Sequence, residues 1–374
     1  SKQPKCKYFV EKFDERVLTY IVNHPHEFKD QLQSARLQFK NTDENGNVVS
    51  VTPMAVASAY LVNSKGGIHQ TEYYQNNDEG RFIPRKSLSL ATITRKIRHT
   101  IAGKFYHDID MVNAHPRILL QLCEKEGFGA TPRLAEYVNN RDAVFDKIVK
   151  KGFDRNAVKK IILSGINAGT ADYKAYGDDN ETLNAFYKEM SRIRDKFVSK
   201  YPLRFAKLCG QRRKDKRFEG SDKGSFVNSF MLKVENDAMM VVVRHLAGIG
   251  ALGPNKNEAV LCADGIMVPK EHITDVDFVL LEDLRMAVAK EIGYNIPFSC
   301  KPMNEELKMP KMIPKEEINE AAMNKHFDLT KWDEFPYIYN NMPVIAAINS
   351  TNFKNNMKYT IKNSKSNHAL GLFD

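Results

Sequence analysis

Two short acidic segments constrain the fold of this chain most strongly. Residues 105–112 (Phe-Tyr-His-Asp-Ile-Asp-Met-Val) and 259–268 (Ala-Val-Leu-Cys-Ala-Asp-Gly-Ile-Met-Val) both have the composition of a β-strand. In the first, Asp108 and Asp110 are two residues apart and therefore point to the same face. In the second, Asp264 lies within an apolar run and precedes Gly265. A glycine allows a ligand or another backbone segment to approach closely. The sequence predicts two buried strands that bring carboxylates together.

These carboxylates predict a metal site. A buried, unpaired carboxylate is costly, so a cation partner is expected. Carboxylate oxygens suit Mg²⁺, and two such ions would stabilise both oxygens of a phosphoryl displacement. Asp110 and Asp264 are the predicted ligands of two Mg²⁺ ions, with Mn²⁺ as the alternative ion. Asp108 is predicted either as a further ligand or as a partner of Arg98.

A cationic helix is expected between the two acidic segments. Arg155 and Lys159 are four residues apart and share one helical face. They form either a solvated face or a site for a triphosphate, which an arginine fork and a lysine point charge both suit. The small-residue run at 164–169 would allow a nucleobase to approach closely. Carboxylates, a cationic helix and a further carboxylate together predict a nucleotidyl transferase.

The charge of the chain favours a polyanionic ligand. Lysine and arginine number 56 against 46 aspartates and glutamates, a formal net charge of +10. An evenly basic surface would serve solubility alone. Here the cations cluster, which is the electrostatic pattern of a protein that binds a phosphate backbone. The clusters lie at residues 81–86, 95–98, 147–160 and 212–217.

Composition excludes several other classes. No apolar run approaches the length that spans a bilayer, and the charged N-terminal segment lacks the apolar core of a signal peptide. The five cysteines are dispersed without a Cys-x-x-Cys pair, which argues against a zinc site and for free thiols. A reducing, intracellular compartment is therefore expected: cytoplasm, nucleoid or a viral replication site.

Periodicity predicts a mostly helical chain around these strands. Residues 8–40 are expected to be helical, and residues 41–47 contain Asn-Gly, a strong hairpin signal. Residues 303–315 are expected to be a linker, and the tail from residue 354 is expected to be mobile. Further helices are predicted at residues 116–126, 141–151, 155–166, 181–199, 226–246 and 275–292.

The order of these motifs resembles that of family A DNA polymerases over residues 78–300. The matching segments, in chain order, are Gly80-Arg81, Arg95-Lys-Ile-Arg98, Asp110-Met-Val-Asn-Ala-His115-Pro-Arg-Ile-Leu119 (motif A), Arg155-x-x-x-Lys159 (motif B), Asn228 with Glu235 and Asp237, and Ala263-Asp264-Gly265 (motif C).

The resemblance implies an α+β fold of the polymerase right-hand type. It has a small antiparallel palm sheet and largely helical fingers and N-terminal region. The implied domains are a helical or thumb-like N-terminal region at 1–77, palm at 78–132, fingers at 133–210, palm again at 211–302 and a C-terminal extension at 303–374. No 3′–5′ exonuclease domain is expected in the N-terminal region.

The resemblance also implies roles for individual residues. Asp110 and Asp264 would be catalytic with Arg155 and Lys159, which hold the triphosphate. His115 and Asn167 would contact the incoming nucleotide. The implied partners are primer–template DNA and nucleoside triphosphates, with a replication protein contacted through the C-terminal extension and no membrane. Nucleic-acid contacts fall to Arg81, Arg98 and Asn228, and to Arg212, Arg213, Lys216 and Arg217, which are otherwise a charged surface loop.

Departures from the family keep other functions open. Motif C has Ala263 and Gly265 where the family has histidine and glutamate, and His115 replaces the carboxylate that screens against a 2′-hydroxyl. Asn167 replaces the fingers tyrosine. The alternatives are a single-subunit RNA polymerase or primase, and a non-catalytic nucleic-acid-binding replication factor. The short run from Arg81 to Asp110 favours a DNA polymerase that prefers dNTPs.

Overall fold

A computed structural model describes residues 5–32, 39–42, 48–75, 80–149, 154–167, 181–213 and 221–319. Helices and small antiparallel sheets alternate along the chain, which confirms the predicted α+β class. The chain forms two compact units. Of the described residues, unit 1 comprises those within 5–111, 239–287 and 297–319, and unit 2 comprises those within 112–238 and 288–296.

Unit 1 contains three antiparallel sheets within the described residues. Their orders are β1-β4-β5, β2-β3 and β7-β8-β6-β9. The strands are β1 Lys5–Lys12, β2 Phe39–Thr42, β3 Val48–Val51, β4 Ile68–Gln75, β5 Ile83–Pro84, β6 Tyr106–Met111, β7 Val260–Cys262, β8 Gly265–Pro269 and β9 Phe298–Lys301.

The helices of unit 1 pack on these sheets. They are α1 Glu15–Asn23, α2 Pro25–Leu32, α3 Pro53–Val62 and α4 Arg95–Ala102. Thr52 caps α3 by accepting from the backbone N–H of Ala55 at 3.2 Å, and Pro53 occupies the first helical turn, where its missing N–H costs nothing. Because α3 is apolar on all sides, it is buried in the centre of the unit 1 core.

Unit 2 is helical in the part that the structure describes. The aromatic rings of Phe128, Phe197, Phe226 and Phe230 form its core, with ring centroids about 5 Å apart. Its helices are α5 Ala114–Lys125, α6 Pro132–Asn139, α7 Arg141–Val149, α8 Arg155–Asn167, α9 Glu181–Lys200 and α10 Pro202–Arg213. The division between the units falls within α11 Asp222–Gly248 and α12 Phe278–Ile292.

Two predicted elements differ from the structure. The helix predicted from residue 8 begins instead as strand β1, in which Phe9 and Glu11 are buried and Tyr8 is exposed. That alternation has a period of two and is typical of a half-buried strand. The single strand predicted at 259–268 is a hairpin, in which β7 and β8 are joined by a turn at Ala263 and Asp264.

The predicted linker at 303–315 is also wrong. This segment has no regular secondary structure, but it packs along unit 1. Leu307 is 4% exposed and belongs to the unit 1 core, and its backbone N–H donates to Thr100 at 2.8 Å. The pairing of β2 with β3 confirms the hairpin at 41–47, although residues 43–47 lie outside the described part. The predicted mobile tail from residue 354 lies outside it too.

Candidate active site

Three aspartates meet in one cavity of unit 1. Asp108 and Asp110 share a face of β6, as predicted, and Asp264 lies in the turn between β7 and β8. All three line a cavity of about 360 Å³. The backbone N–H of Met111 donates to the carbonyl of Asp264 at 2.7 Å, which holds this turn against the end of β6.

Asp264 was expected inside an apolar strand, and that expectation is wrong. Asp264 is half-buried in a two-residue turn, so fewer apolar groups surround it than would surround a residue in the middle of a strand. The Asp-Gly dipeptide is a turn signal that could have revealed the hairpin.

Gly265 is required by the close approach of β8 to β6. It pairs with Asp110 across the sheet. A Cβ atom at Gly265 would lie 2.7 Å from the carbonyl oxygen of Ile109 and would collide with the Asp110 carboxylate. Only glycine leaves space for that carboxylate in the cavity.

Basic side chains also line the cavity. They are Arg95, Arg98 and Lys301, and His99 lies among them. The Lys301 ammonium forms an ion pair with the Asp110 carboxylate. Sequence reasoning assigned no role to Lys301, because a lysine at the end of a short strand gives no signal of its own.

Arg98 was predicted to contact nucleic-acid phosphates, but the structure buries it. The residue is 8% exposed, and its Nη1 donates to the carbonyl oxygens of Ala91 at 3.2 Å and Ile93 at 3.3 Å. The guanidinium thus holds the turn at residues 90–93 and adds a positive charge beside the aspartates.

Burial shapes the electrostatics of this cavity. It raises the pKa of Asp108, and the charges of Arg98, Lys301 and Arg95 offset part of that rise. Burial also lowers the pKa of Lys301, where attraction to Asp108 opposes it and Arg95 and Arg98 add repulsion. An ionised Asp108 would therefore gain from a further cation.

The donor set fits a hard divalent cation. Carboxylate oxygens are the ligands that Mg²⁺ prefers. Among the described residues, one group of three possible metal ligands is close together: Glu258, Glu271 and His272, whose ligand atoms all lie within 4.8 Å of one another. This group lies outside the cavity. The cavity aspartates are spaced more widely, which suits Mg²⁺ because that ion retains waters and takes one or two carboxylates plus substrate phosphates.

Two of the residues predicted to contact the nucleotide, His115 and Asn167, form a cluster with Glu235 in unit 2. His115 Nδ1 lies 2.9 Å from Asn167 Oδ1, and His115 Nε2 lies 2.9 Å from the Glu235 carboxylate, which is 1% exposed. Sequence reasoning named all three residues but did not predict their contact. Both ring nitrogens are engaged, so the orientation of the imidazole is set from two sides.

Arg155 and Lys159 lie on the exposed face of α8, as the helical spacing predicts. Arg155 forms an ion pair with Asp142, and its guanidinium lies 4.8 Å from the ring centroid of Phe145. Arg155 therefore links α8 to α7 through its ion pair with Asp142 and its contact with the Phe145 ring. The structure places both cations in unit 2 and the three aspartates in unit 1.

Three further side chains predicted to contact nucleic acid are largely covered by the protein. Arg81 is 8% exposed and Asn228 is 3% exposed, so both are buried. Arg212 is half-buried, and its side chain, 9% exposed, donates to Asp222 at 2.7 Å. Nucleic-acid contacts by these three side chains stay a prediction, which their burial does not favour. Arg213 ends α10, and Lys216 and Arg217 lie outside the described residues.

All five cysteines are free thiols, as predicted. They are Cys6, Cys123, Cys209, Cys262 and Cys300. In the part of the chain that the structure describes, none of the helices combines the length and apolar composition needed to cross a bilayer.

Comparisons with known proteins give two similarities. No family model matches the sequence. The chain is 27% identical over 263 residues to V13 of Sputnik virophage, whose name describes it as a helicase; the match covers 66% of this chain and 32% of V13. The chain thus spans about a third of that curated relative.

Among solved structures, the chain is similar to the POL domain of Pol1 from M. smegmatis in complex with a DNA primer-template and dNTP. The TM-score is 0.44 and the identity 13%, over 78% of this chain and 66% of that one.

Proposed function

We propose that this protein is a template-directed nucleotidyl transferase, a DNA polymerase that extends a primer with dNTPs. The observation that carries the proposal is the convergence of Asp108, Asp110 and Asp264 on one cavity that basic side chains also line. Carboxylates and fixed cations together are what a reaction between phosphate groups needs, because the first bind metal ions and the second offset phosphate charge.

Asp110 and Asp264 would hold two Mg²⁺ ions, with Mn²⁺ as the alternative, and Asp108 would complete the acidic group. When bound, the ions supply activation of the attacking 3′-oxygen and stabilisation of the departing pyrophosphate. Arg98 fixes the geometry of one side of the cavity, since its guanidinium binds the turn at residues 90–93.

Selection of the nucleotide is assigned to unit 2. Lys159 and Arg155 would bind the triphosphate through the exposed face of α8. His115, held by Asn167 and Glu235, would lie under the sugar. A fixed imidazole is bulky and excludes a 2′-hydroxyl by sterics, so dNTPs are the proposed substrates.

The name of the virophage relative raises a helicase as a second candidate. A helicase motor of the P-loop class needs the Gly-Lys-Ser or Gly-Lys-Thr of its phosphate loop. Neither tripeptide occurs in this sequence. We therefore propose that the shared region carries nucleotidyl transfer and that it works beside a helicase in replication.

Extension of a labelled primer tests the proposal. Wild-type protein with Mg²⁺ should extend with dNTPs in preference to NTPs. Asp110→Ala and Asp264→Ala should each lower extension at least 100-fold, while DNA affinity and thermal stability stay near wild type. Asp283→Ala, an exposed aspartate of α12 outside the cavity, is the matched control and should be neutral.

Each other outcome assigns a different function. Better extension with NTPs, or synthesis without a primer, would make the protein an RNA polymerase or primase. Primer–template binding without transfer under any condition would leave a non-catalytic replication factor. Near-wild-type extension by Asp110→Ala would rule out the metal centre.

A further inference from the structure

We propose that Lys301 is a built-in counter-ion of the carboxylate cavity, which a divalent cation displaces from Asp110 when it binds. The inference rests on the proposed function in one respect: it takes a divalent cation as the ligand of the aspartates. It adds a residue that sets how strongly that cation binds.

The sheet register places Lys301 at the aspartates. Strand β9 pairs with β6 so that Lys301 lies opposite Asp108. Directly opposite residues of an antiparallel pair project to the same face, and Asp110 projects there too because it is two residues along. From this position the ammonium reaches the Asp110 carboxylate.

The two partners of this ion pair differ in how freely their side chains can move. The Asp110 side chain is 11% exposed, and its carboxylate lies in the space that Gly265 leaves opposite it. The Lys301 side chain is 50% exposed and ends a flexible four-carbon stem. An incoming cation would therefore find the carboxylate in place, and the ammonium can return to water.

Two neighbouring arginines weaken the electrostatic attraction between the cavity and the Lys301 ammonium. Arg95 and Arg98 line the same cavity, and their positive charges repel the Lys301 ammonium. A divalent ion brings twice the charge to the same carboxylate. It would also interact with Asp108 and Asp264, which line the same cavity.

Direct cation binding tests this role without catalysis. Binding of Mn²⁺ to the full chain, without nucleotide or DNA, is measured by the loss of free-ion signal in electron paramagnetic resonance. Lys301→Met should bind Mn²⁺ about ten-fold more tightly than wild type, since a competing charge is removed. Lys301→Arg should stay within about three-fold of wild type.

Lys308→Met is the matched control. Lys308 is exposed on the same segment, seven residues further on and outside the cavity. Its loss changes the net charge equally, so Mn²⁺ affinity should remain within about two-fold of wild type. Thermal melting should show both methionine variants folded, because neither lysine is a buried residue.

Displacement has a second, local readout. An amine-reactive reagent should modify Lys301 several-fold faster when Mn²⁺ is added, whereas the rate at Lys308 should not change. Unchanged or weaker Mn²⁺ binding by Lys301→Met, or unchanged reactivity of Lys301, would overturn the proposal while leaving the metal centre intact. If neither wild type nor Lys301→Met binds Mn²⁺, the metal centre and the counter-ion role both fail.

Discussion

Gly265 is the residue at which backbone geometry and the proposed chemistry depend on each other most directly. Gly265→Ala would place a methyl group 2.7 Å from the Ile109 carbonyl and against the Asp110 carboxylate. We expect a loss of about 1–3 kcal/mol in the free energy of unfolding and at least a 100-fold loss of primer extension. Urea unfolding and extension assays measure the two effects.

Gly210→Ala is the control for this substitution. Among the described residues, no atom lies within 4 Å of a Cβ placed there, and Gly210 belongs to helix α10. Alanine should be neutral or stabilise the helix by up to about 1 kcal/mol. A Gly265→Ala variant with normal stability and activity would show that the Asp110 carboxylate moves freely.

We expect His99 to make the free energy of unfolding depend on pH. Burial, together with Arg98 and Arg95, lowers its pKa from 6.5 to about 4. The unfolded chain therefore binds a proton between these values and the folded chain does not, so stability falls as pH decreases from 6.5 to 4. The loss is at most roughly 3 kcal/mol by pH 4.

The matched variant for this effect is His99→Gln. Its amide oxygen can accept from the backbone N–H of Glu305, as His99 Nδ1 does at 3.1 Å. We expect its free energy of unfolding to vary less between pH 6.5 and 4 than that of wild type. Equal slopes for the two proteins would mean that His99 titrates normally in the folded state.

Among elements, strand β1 is connected to the candidate site by one buried carboxylate. Glu11 is fully buried and accepts from Tyr60 at 2.9 Å, Tyr73 at 3.0 Å, Ser89 at 2.7 Å and the backbone N–H of Leu90 at 2.7 Å. Leu90 begins the turn at residues 90–93, whose carbonyl oxygens bind Arg98.

Glu11→Gln should lower the free energy of unfolding by about 2 kcal/mol or more. The amide group cannot accept from all four donors, and a buried donor left unsatisfied costs about 1–3 kcal/mol. Glu124→Gln on the exposed face of α5 is the control and should change stability by less than about 0.5 kcal/mol. Chemical denaturation of both variants makes the comparison. Equal stability would show that Glu11 can be replaced by any acceptor of its shape.

Elements with a clear hydrophobic periodicity were predictable from the sequence. Features that depend on residues far away in the chain were not. Helix α8 follows from its helical spacing, and the shared face of Asp108 and Asp110 follows from alternation. Strand β1 was missed because its alternation spans only a few residues. The roles of Arg98 and Lys301 were missed because the turn at 90–93 and the β6–β9 register create them.

For the molecule as a whole, the sequence shows how many charged residues there are and where they cluster along the chain. It does not show which of them are exposed. The net charge of +10 and its clusters are visible in the sequence. Arg81, Arg98 and Arg212 look alike there, yet the structure buries Arg81 and Arg98 and leaves Arg212 half-buried. Burial depends on partners such as Asp222, which lies ten residues from Arg212 in the chain. A count of cations therefore overstates the surface available to a phosphate backbone.

This distinction leads to a prediction for DNA binding by the whole molecule. Affinity for a primer–template should fall steeply with salt, because each neutralised phosphate releases counterions. Replacing Lys216 and Arg217 by glutamine should reduce the slope of log affinity against log salt by up to about 2, because each phosphate that is no longer neutralised removes about 0.9. Fluorescence anisotropy across a salt series measures the slope.

Two comparisons make that measurement decisive. Lys29→Gln with Lys311→Gln removes the same charge from exposed positions outside the basic clusters, and the slope should stay close to that of wild type. Arg212→Gln should instead lower thermal stability, because it breaks the pair with Asp222. If the Lys216 and Arg217 variant keeps the wild-type slope, the basic run does not contact the duplex. The sequence-independent affinity must then come from other cations of the chain.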